Sequence, residues 1–330
     1  MSLQNEISAP VPDYLGPTWQ ARTIFLTQDD GAAPAGKPDV AVLVAEQDAP
    51  NLIQETGLAA LWLPGYLDSF MHVEQAQAWR AAGIALVGLD FRREGRAVRD
   101  PKHQGYIRDL LVREEEIAAA LELLRSWGAE RIVLIGHSMG GLQAALWADR
   151  HPGTVAAVIL NSPWLEQFGP EFLRTHATRI IRQIAKVAPG MPIASTNPTY
   201  LRSLHVDYGG EFEFDQNHKL TRPTRIFAGL FAAGREAHAK VAAGLHIQEP
   251  VLVAHSDKSG NAFRPSPEDL AHTDAVTDVA DIMRLGPTLG ADVTMLEVPG
   301  GRHDLALSRQ PARDFYTKCT VAWVRELLGI

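Results

Sequence analysis

The chain has one cysteine, Cys319, in 330 residues. No intrachain disulfide can form, and nothing points to an oxidising compartment. No stretch of 18 apolar residues occurs, since LAALWL, IALVGLD and VAAVIL are strand-sized, so no membrane-spanning helix is expected. Positive charge is in deficit: 31 Lys+Arg face 39 Asp+Glu, a formal net charge of −8. Such a chain has no general attraction to phosphate polymers, and nucleic acid is not an expected partner. Neither H-E-x-x-H nor a Cys/His ligand spacing is found, so no metal is expected. No phosphate loop of the form G-x-x-x-x-G-K-[ST] is found either, and no cofactor is expected. The start, MSLQNEISAPVPDY, lacks the basic and apolar segments of a secretory leader, and a cytoplasmic protein is expected.

What is present is enough apolar residue for a large core, 46% hydrophobic against 21% charged. Strand and helix patterns alternate along it. Segments 18–27 and 40–47 read as an early strand pair around a Gly/Pro turn. LAALWL (58–63), IALVGLD (84–90), 131–135 and VAAVIL (155–160) are short apolar runs. They fit strands buried on both faces of a mostly parallel sheet. Helical patterns fall between them. In one, Ile107, Leu110, Leu111, Ile117, Leu121, Leu124 and Trp127 share a face, with Arg113 to Glu116 on the opposite, polar face. From 164 to 225 no strand is visible. An amphipathic helix carrying Phe172, Leu173, Ile180, Ile181, Ile184 and Val187 is followed by a Pro/Gly-rich stretch and the acidic run GGEFEFD (209–215). The α/β rhythm then resumes with a helix near 227–243, strand 251–256, a helix near 276–285, strand 293–298 and a closing helix 312–328. The expected organisation is a core of 1–163 and 226–330, with 164–225 a helical cap.

The segment IVLIGHSMGG (132–141) carries the chemistry. G-x-S-x-G at Gly136, Ser138 and Gly140 lies between an apolar strand and a helix rich in small residues. A serine at the apex of a strand–turn–helix needs glycines on either side for the tight backbone. Its hydroxyl then stands above the sheet, with the Met139 N–H at a helix N-terminus, where an oxyanion is stabilised.

With these residues the chain resembles the α/β-hydrolase superfamily, and within it the monoacylglycerol lipase and lysophospholipase-like group, also described as serine aminopeptidase-type. The resemblance runs from about residue 55 to the C-terminus. It rests on LPGYLDSF (63–70), LDFRREGRA (89–97), GHSMGGL (136–142), LNSPW (160–164), HSDKS (255–259), DAVTDV (274–279) and PGGRHDLALS (299–308). It implies an α/β-hydrolase fold, with a mostly parallel central sheet, helices on both faces and a helical cap insertion. It also implies an oxyanion role for the Tyr66 backbone N–H. The chain departs from the family at Pro64, where a histidine usually precedes the glycine.

A serine nucleophile needs a base and an acid. His303 lies in a Gly-rich loop between the last strand and the last helix, in the family's chain order of Ser, acid, His. For the acid, Asp257 directly follows strand 251–256, whereas Asp274 follows an insertion and opens a helix. Asp274 precedes His303 by 29 residues and Asp257 by 46. The resembled family places its acid about thirty residues before its histidine, so Asp274 is taken as the acid and Asp257 as its alternative. If Asp274 is the acid, Asp257 is expected to turn into the inserted loop.

His137 reads as structural, and His255 and His272 as unconnected with metal. Cys319, between Phe315 and Trp323 on one helical face, reads as core. The expected protein is a serine esterase acting on a small-molecule or lipid-like ester with an apolar acyl group. A peptidase or amidase of the same fold and a non-catalytic scaffold are the alternatives. The acidic run reads as a solvated cap edge, or else as a binder of a substrate amine.

Overall fold

The computed structural model describes residues 5–27, 38–169 and 178–330. Its elements, in chain order, begin with β1 (Val11–Pro12), β2 (Trp19–Phe25), β3 (Val40–Glu46), α1 (Ala49–Thr56), β4 (Leu58–Leu63), α2 (Val73–Ala81) and β5 (Ala85–Asp90). Next come α3 (Glu114–Ser126), β6 (Arg131–His137), α4 (Met139–Arg150), β7 (Ala157–Asn161), α5 (Thr178–Val187), β8 (Pro192–Ser195) and α6 (Thr199–Leu204). The chain closes with β9 (Arg225–Phe227), α7 (Ala228–Ala242), β10 (Val251–Ser256), α8 (Pro267–His272), α9 (Val279–Leu285), β11 (Val293–Val298) and α10 (Ala312–Leu328).

Nine of these strands form one sheet in the order β1-β2-β3-β5-β4-β6-β7-β10-β11. The first three join antiparallel. From β5 to β11 every pairing is parallel. Side chains alternate between the two faces, as the pleat dictates. Leu61, Ile132 and Leu134 enter one apolar cluster with α3, α4 and α7, while Trp62, Val133 and Ile135 enter a second with α2 and α10. Burying each such side chain stabilises by about 1.5–3 kcal/mol. β11, at the sheet edge, is half-exposed. Among the described residues no helix is long and apolar enough to cross a membrane.

The structure corrects four expectations. First, the 164–225 stretch does contain a strand: β8 pairs antiparallel with β9 in a separate two-stranded sheet. Four residues beside prolines and glycines carry too little periodicity to be read. Second, Arg113 and Glu116 do not face water. Both are fully buried; Arg113 pairs with Glu94 at 2.9 Å and Glu116 with Arg92. Long charged side chains enter the interior in mutually neutralised pairs, and one chain segment shows only half of each pair. Third, the buried stripe of α10 is Tyr316, Thr320 and Val324, while Phe315 is exposed and Cys319 only half-buried. Fourth, α5 does not bury its apolar stripe: Ile180 is 61% and Val187 85% exposed, and Ile181 and Ile184 are half-buried. Phe172 and Leu173 lie outside the described residues.

The Arg113–Glu94 pair gives a pH prediction. Burial pushes the Glu94 carboxyl up from 4.5 to about 7, against the opposing pull of Arg113. Between those values the folded chain holds a proton that the unfolded chain has released. The contribution of this group to stability is therefore full below about 4.5 and is lost as pH rises through about 7, a change on the order of 3 kcal/mol. Glu94→Gln should flatten the fall in urea midpoint between pH 5 and 8. An unchanged slope would place the titration elsewhere.

Candidate active site

Ser138 sits between the last residue of β6 and the first of α4, with φ 53° and ψ −117°. This is a region that non-glycine residues rarely occupy, and it costs about 1–3 kcal/mol. The turn closes because glycines leave room for it. A Cβ on Gly136 would strike the Gly140 carbonyl oxygen, and one on Gly140 would strike the Leu63 and Pro64 carbonyls. The Ser138 N–H donates to the Asn161 carbonyl at 3.0 Å, and the Ser138 carbonyl accepts from the Trp164 N–H at 2.9 Å. The end of β7 and the loop that follows it thus brace the strained residue from both sides. Leu67, Arg93 and Ser162 also have positive φ. All three lie just past the carboxyl ends of β4, β5 and β7. Strain is concentrated along the sheet edge where ligands of open α/β sheets bind.

His303 stands on the loop after β11 and is nearly fully buried. Its Nδ1 lies 3.0 Å from Asp274 Oδ2. Asp274 is fully buried and accepts from the Val276 N–H (2.9 Å), the Thr277 N–H (2.8 Å) and the Thr277 hydroxyl (2.6 Å). Burial alone would raise this carboxyl, but His303 and the Thr277 donors hold it below its usual range. It stays ionised at neutral pH and can carry a positive imidazole.

Asp257 is exposed and accepts from the Gly300 N–H at 2.9 Å. This corrects the expectation that it turns into the inserted loop. It pins the start of the histidine loop, while the insertion is held by a capping box between Ser266 and Asp269. Asp257 thus touches the histidine loop without touching the histidine.

The histidine loop is tied to the serine side of the sheet edge. Asn161, which pairs with His137 in the β6–β7 register, donates from Nδ2 to Asp304 Oδ1 at 2.9 Å and accepts from the Leu305 N–H at 3.1 Å. The His303 ring lies 4.8 Å from that of His137 and 5.7 Å, edge-on, from that of Tyr200. The Tyr200 hydroxyl accepts from the Asp304 N–H at 2.7 Å.

The loop after β4 supplies the other wall. A Cβ on Gly65 would lie 3.2 Å from the Ser138 Cβ, so the Pro64–Tyr66 backbone passes directly over the elbow. The Tyr66 hydroxyl donates to the Arg225 carbonyl at 3.2 Å, and burial keeps the phenol far above its usual pKa. Met139 is the first residue of α4 and is buried.

Beneath these groups runs a charge network that sequence reading missed. Lys219 pairs with Asp68, and His72 Nε2 lies 2.9 Å from Asp304 Oδ2. His137 Nδ1 lies 3.4 Å from Asp68 and 3.9 Å from Asp304. Burial would raise both carboxyls, but the facing Lys219 and histidines hold them well below the ordinary range. Asp68, His137 and Asp304 could offer ligand atoms within 4.8 Å of one another. Lys219 pairs with Asp68, and His72 Nε2 meets Asp304, so both carboxylates have partners within the chain. Of the five, only Asp68, His137 and Asp304 fall inside motifs quoted above, and nothing local links them.

Comparison with known proteins fits this geometry. The family model described as "Serine aminopeptidase, S33" (Hydrolase_4) matches residues 62–261, more than half of the chain. The chain belongs to this α/β-hydrolase family. The match runs from the end of β4 through the elbow, residues 164–225 and β10, and stops short of Asp274 and His303. A monoacylglycerol lipase of Mycolicibacterium smegmatis is 27% identical over 186 residues, 56% of this chain and 63% of that protein. The alignment therefore spans less than two thirds of that relative's length. Two solved structures share the fold. The Paleococcus ferrophilus monoacylglycerol lipase has a TM-score of 0.61 at 17% identity, covering 82% of this chain and 94% of its own. A soluble variant of the Saccharomyces cerevisiae monoglyceride lipase, solved with a substrate analogue, has a TM-score of 0.62 at 15% identity, covering 99% and 95%.

Proposed function

We propose that this protein is a serine hydrolase of carboxylic esters with apolar acyl groups. The observation that carries the reading is the buried His303–Asp274 pair on the same sheet edge as the strained Ser138. In the proposed reaction Ser138 Oγ attacks the ester carbonyl carbon while His303 Nε2 takes its proton. Asp274 fixes the ring through Nδ1 and stabilises the imidazolium. The Tyr66 and Met139 N–H groups receive the oxyanion. Collapse expels the alcohol, protonated by His303, and leaves Ser138 acylated. Water, deprotonated by the same imidazole, then releases the acid and restores the serine. Apart from the attacking water, every group in the cycle is a side chain or backbone N–H of this chain, and the proposal calls on no cofactor. Residues 164–225 are proposed to act as a cap over the site, in a cytoplasmic protein. With α5 largely exposed, the preference for apolar acyl groups rests on the lipase relatives alone.

A peptidase reading draws support from the family description and from the acidic run. A cavity of about 590 Å³ is rimmed by Glu74, Glu211, Glu213 and Asp215, acidic groups suited to an amine. Neither Ser138 nor His303 lines that cavity, which favours the ester. Nitrophenyl esters from acetyl to dodecanoyl, run beside aminoacyl-amides, decide between them. We expect kcat/KM to rise from acetyl to octanoyl by at least about tenfold, since each buried CH₂ contributes about 0.8 kcal/mol. Amides should be turned over far more slowly. Preferred cleavage of aminoacyl-amides would reverse the reading.

A further inference from the structure

We propose that Lys219 is a positioning residue for the oxyanion loop: its buried ammonium latches the 215–221 segment onto Asp68 and thereby holds the Tyr66 N–H in place over Ser138. The proposal rests on the serine-hydrolase reading above.

The loop 64–68 has few means of holding itself. Pro64 has no N–H, Gly65 has no side chain, and Leu67 is apolar with φ at 54°. The Tyr66 side chain reaches outward to the Arg225 carbonyl. The Leu67 backbone meets the Glu94 carboxylate, and the loop's own charged residue is Asp68, whose carboxylate has three partners: Lys219 Nζ, the Ser69 N–H at 2.7 Å, and His137 at 3.4 Å. Two of these tie the loop to other parts of the site. His137 is the residue before the serine. Lys219 comes from the segment after the acidic run, more than a hundred residues away along the chain.

A second contact supports the latch, since the Leu220 N–H donates to the Leu67 carbonyl at 3.4 Å. Lys219 itself is set by a turn at Asp215, whose carbonyl accepts from the His218 and Lys219 N–H groups at 2.9 and 3.0 Å. The Lys219 and Asp68 side chains are 1% and 4% exposed. An ion pair this deep gains little net stability over an apolar pair of the same volume, because both charges lose their water. What it supplies instead is direction. Either charge buried without the other would be costly, so the two segments are held in the register that brings them together. An oxyanion donor misplaced by about 1 Å loses most of its worth.

The test uses the full chain and two variants. Lys219→Met removes the charge and leaves Asp68 unpaired and buried. Lys219→Met with Asp68→Asn removes both charges, so no orphan is left. Measurements are kcat and KM on nitrophenyl butyrate, Ki of an alkyl trifluoromethyl ketone, and the urea midpoint. The ketone, once added to Ser138 Oγ, places an oxyanion where the ester's would form.

For the double variant we expect a near-native urea midpoint and KM within about threefold. We expect kcat at least about tenfold lower, with ketone affinity weakened by a similar factor, against the about 10²–10³ that loss of a whole donor costs. Native turnover in the double variant would make the pair merely structural and overturn the proposal. So would a fall in kcat without a matching loss of ketone affinity, or failure of the double variant to fold. The parent reading fails differently: the native protein would then hydrolyse no ester, and Ser138→Ala would change nothing.

Discussion

Replacing Ser138 with alanine should abolish ester hydrolysis and labelling by a fluorophosphonate probe, and leave the fold intact. The hydroxyl makes no packing contact that the elbow needs, because the strained backbone is held by the Asn161 carbonyl and the Trp164 N–H. Alanine meets the same φ of 53° at similar cost. The expected loss in kcat is large because the nucleophile and the base act as a unit, about 10⁶ in a well-studied serine protease. His303→Ala should fall by a comparable factor, and the two losses should not add. Near-native melting, together with lost labelling, separates a chemical defect from unfolding. A Ser138→Ala protein that kept native turnover would remove the elbow from the mechanism, and a native protein that took no probe would favour a scaffold.

Asp274→Asn should be the next largest loss. The amide keeps the shape but loses the charge that supports the imidazolium, and it can favour the wrong ring tautomer. That change costs about 10⁴ in kcat in the reference serine protease. Here the amide oxygen would take the Oδ1 site, where the Val276 and Thr277 N–H groups donate, and turn its NH₂ towards His303 Nδ1 and the Thr277 hydroxyl, which favours the wrong tautomer and leaves the backbone contacts in place. Asp257→Asn should cost far less. Its carboxylate accepts one backbone N–H, from Gly300, and an amide oxygen can accept the same bond. The discriminating measurement is kcat for both variants at the same fraction folded. A larger loss at Asp257 than at Asp274 would exchange their roles.

These two aspartates also mark how far sequence reading reaches. Chain position alone left both open, because both precede the histidine and both end near its loop. Asp257 bonds to Gly300, three residues before His303, whereas Asp274 bonds to the ring itself. Only the path of the inserted segment 258–273 sends one carboxylate to the backbone and the other to the imidazole.

The same limit explains the other corrections. Arg113 and Glu116 sit in a run of charge, and such runs usually face water. Their partners Glu94 and Arg92 are on another loop, so their burial could not be seen from the helix. The stripe on α5 satisfies helical periodicity, but periodicity says only that a face is apolar, not that anything covers it.

What the sequence determined alone is what lies within a few consecutive residues. Apolar runs of strand length marked the buried parallel strands, because burial on both faces leaves no polar position. The elbow was legible because strand, strained serine, clearing glycines and helix start all fall within residues 132–141. Tertiary structure decided everything that joins distant segments. It paired His303 with Asp274, tied Asn161 to the histidine loop, and gathered residues 68, 72, 137, 219 and 304 into one buried network. A buried charge is stable only beside a partner, and which partner it meets is set by how the strands and loops pack, a property no local stretch of chain contains.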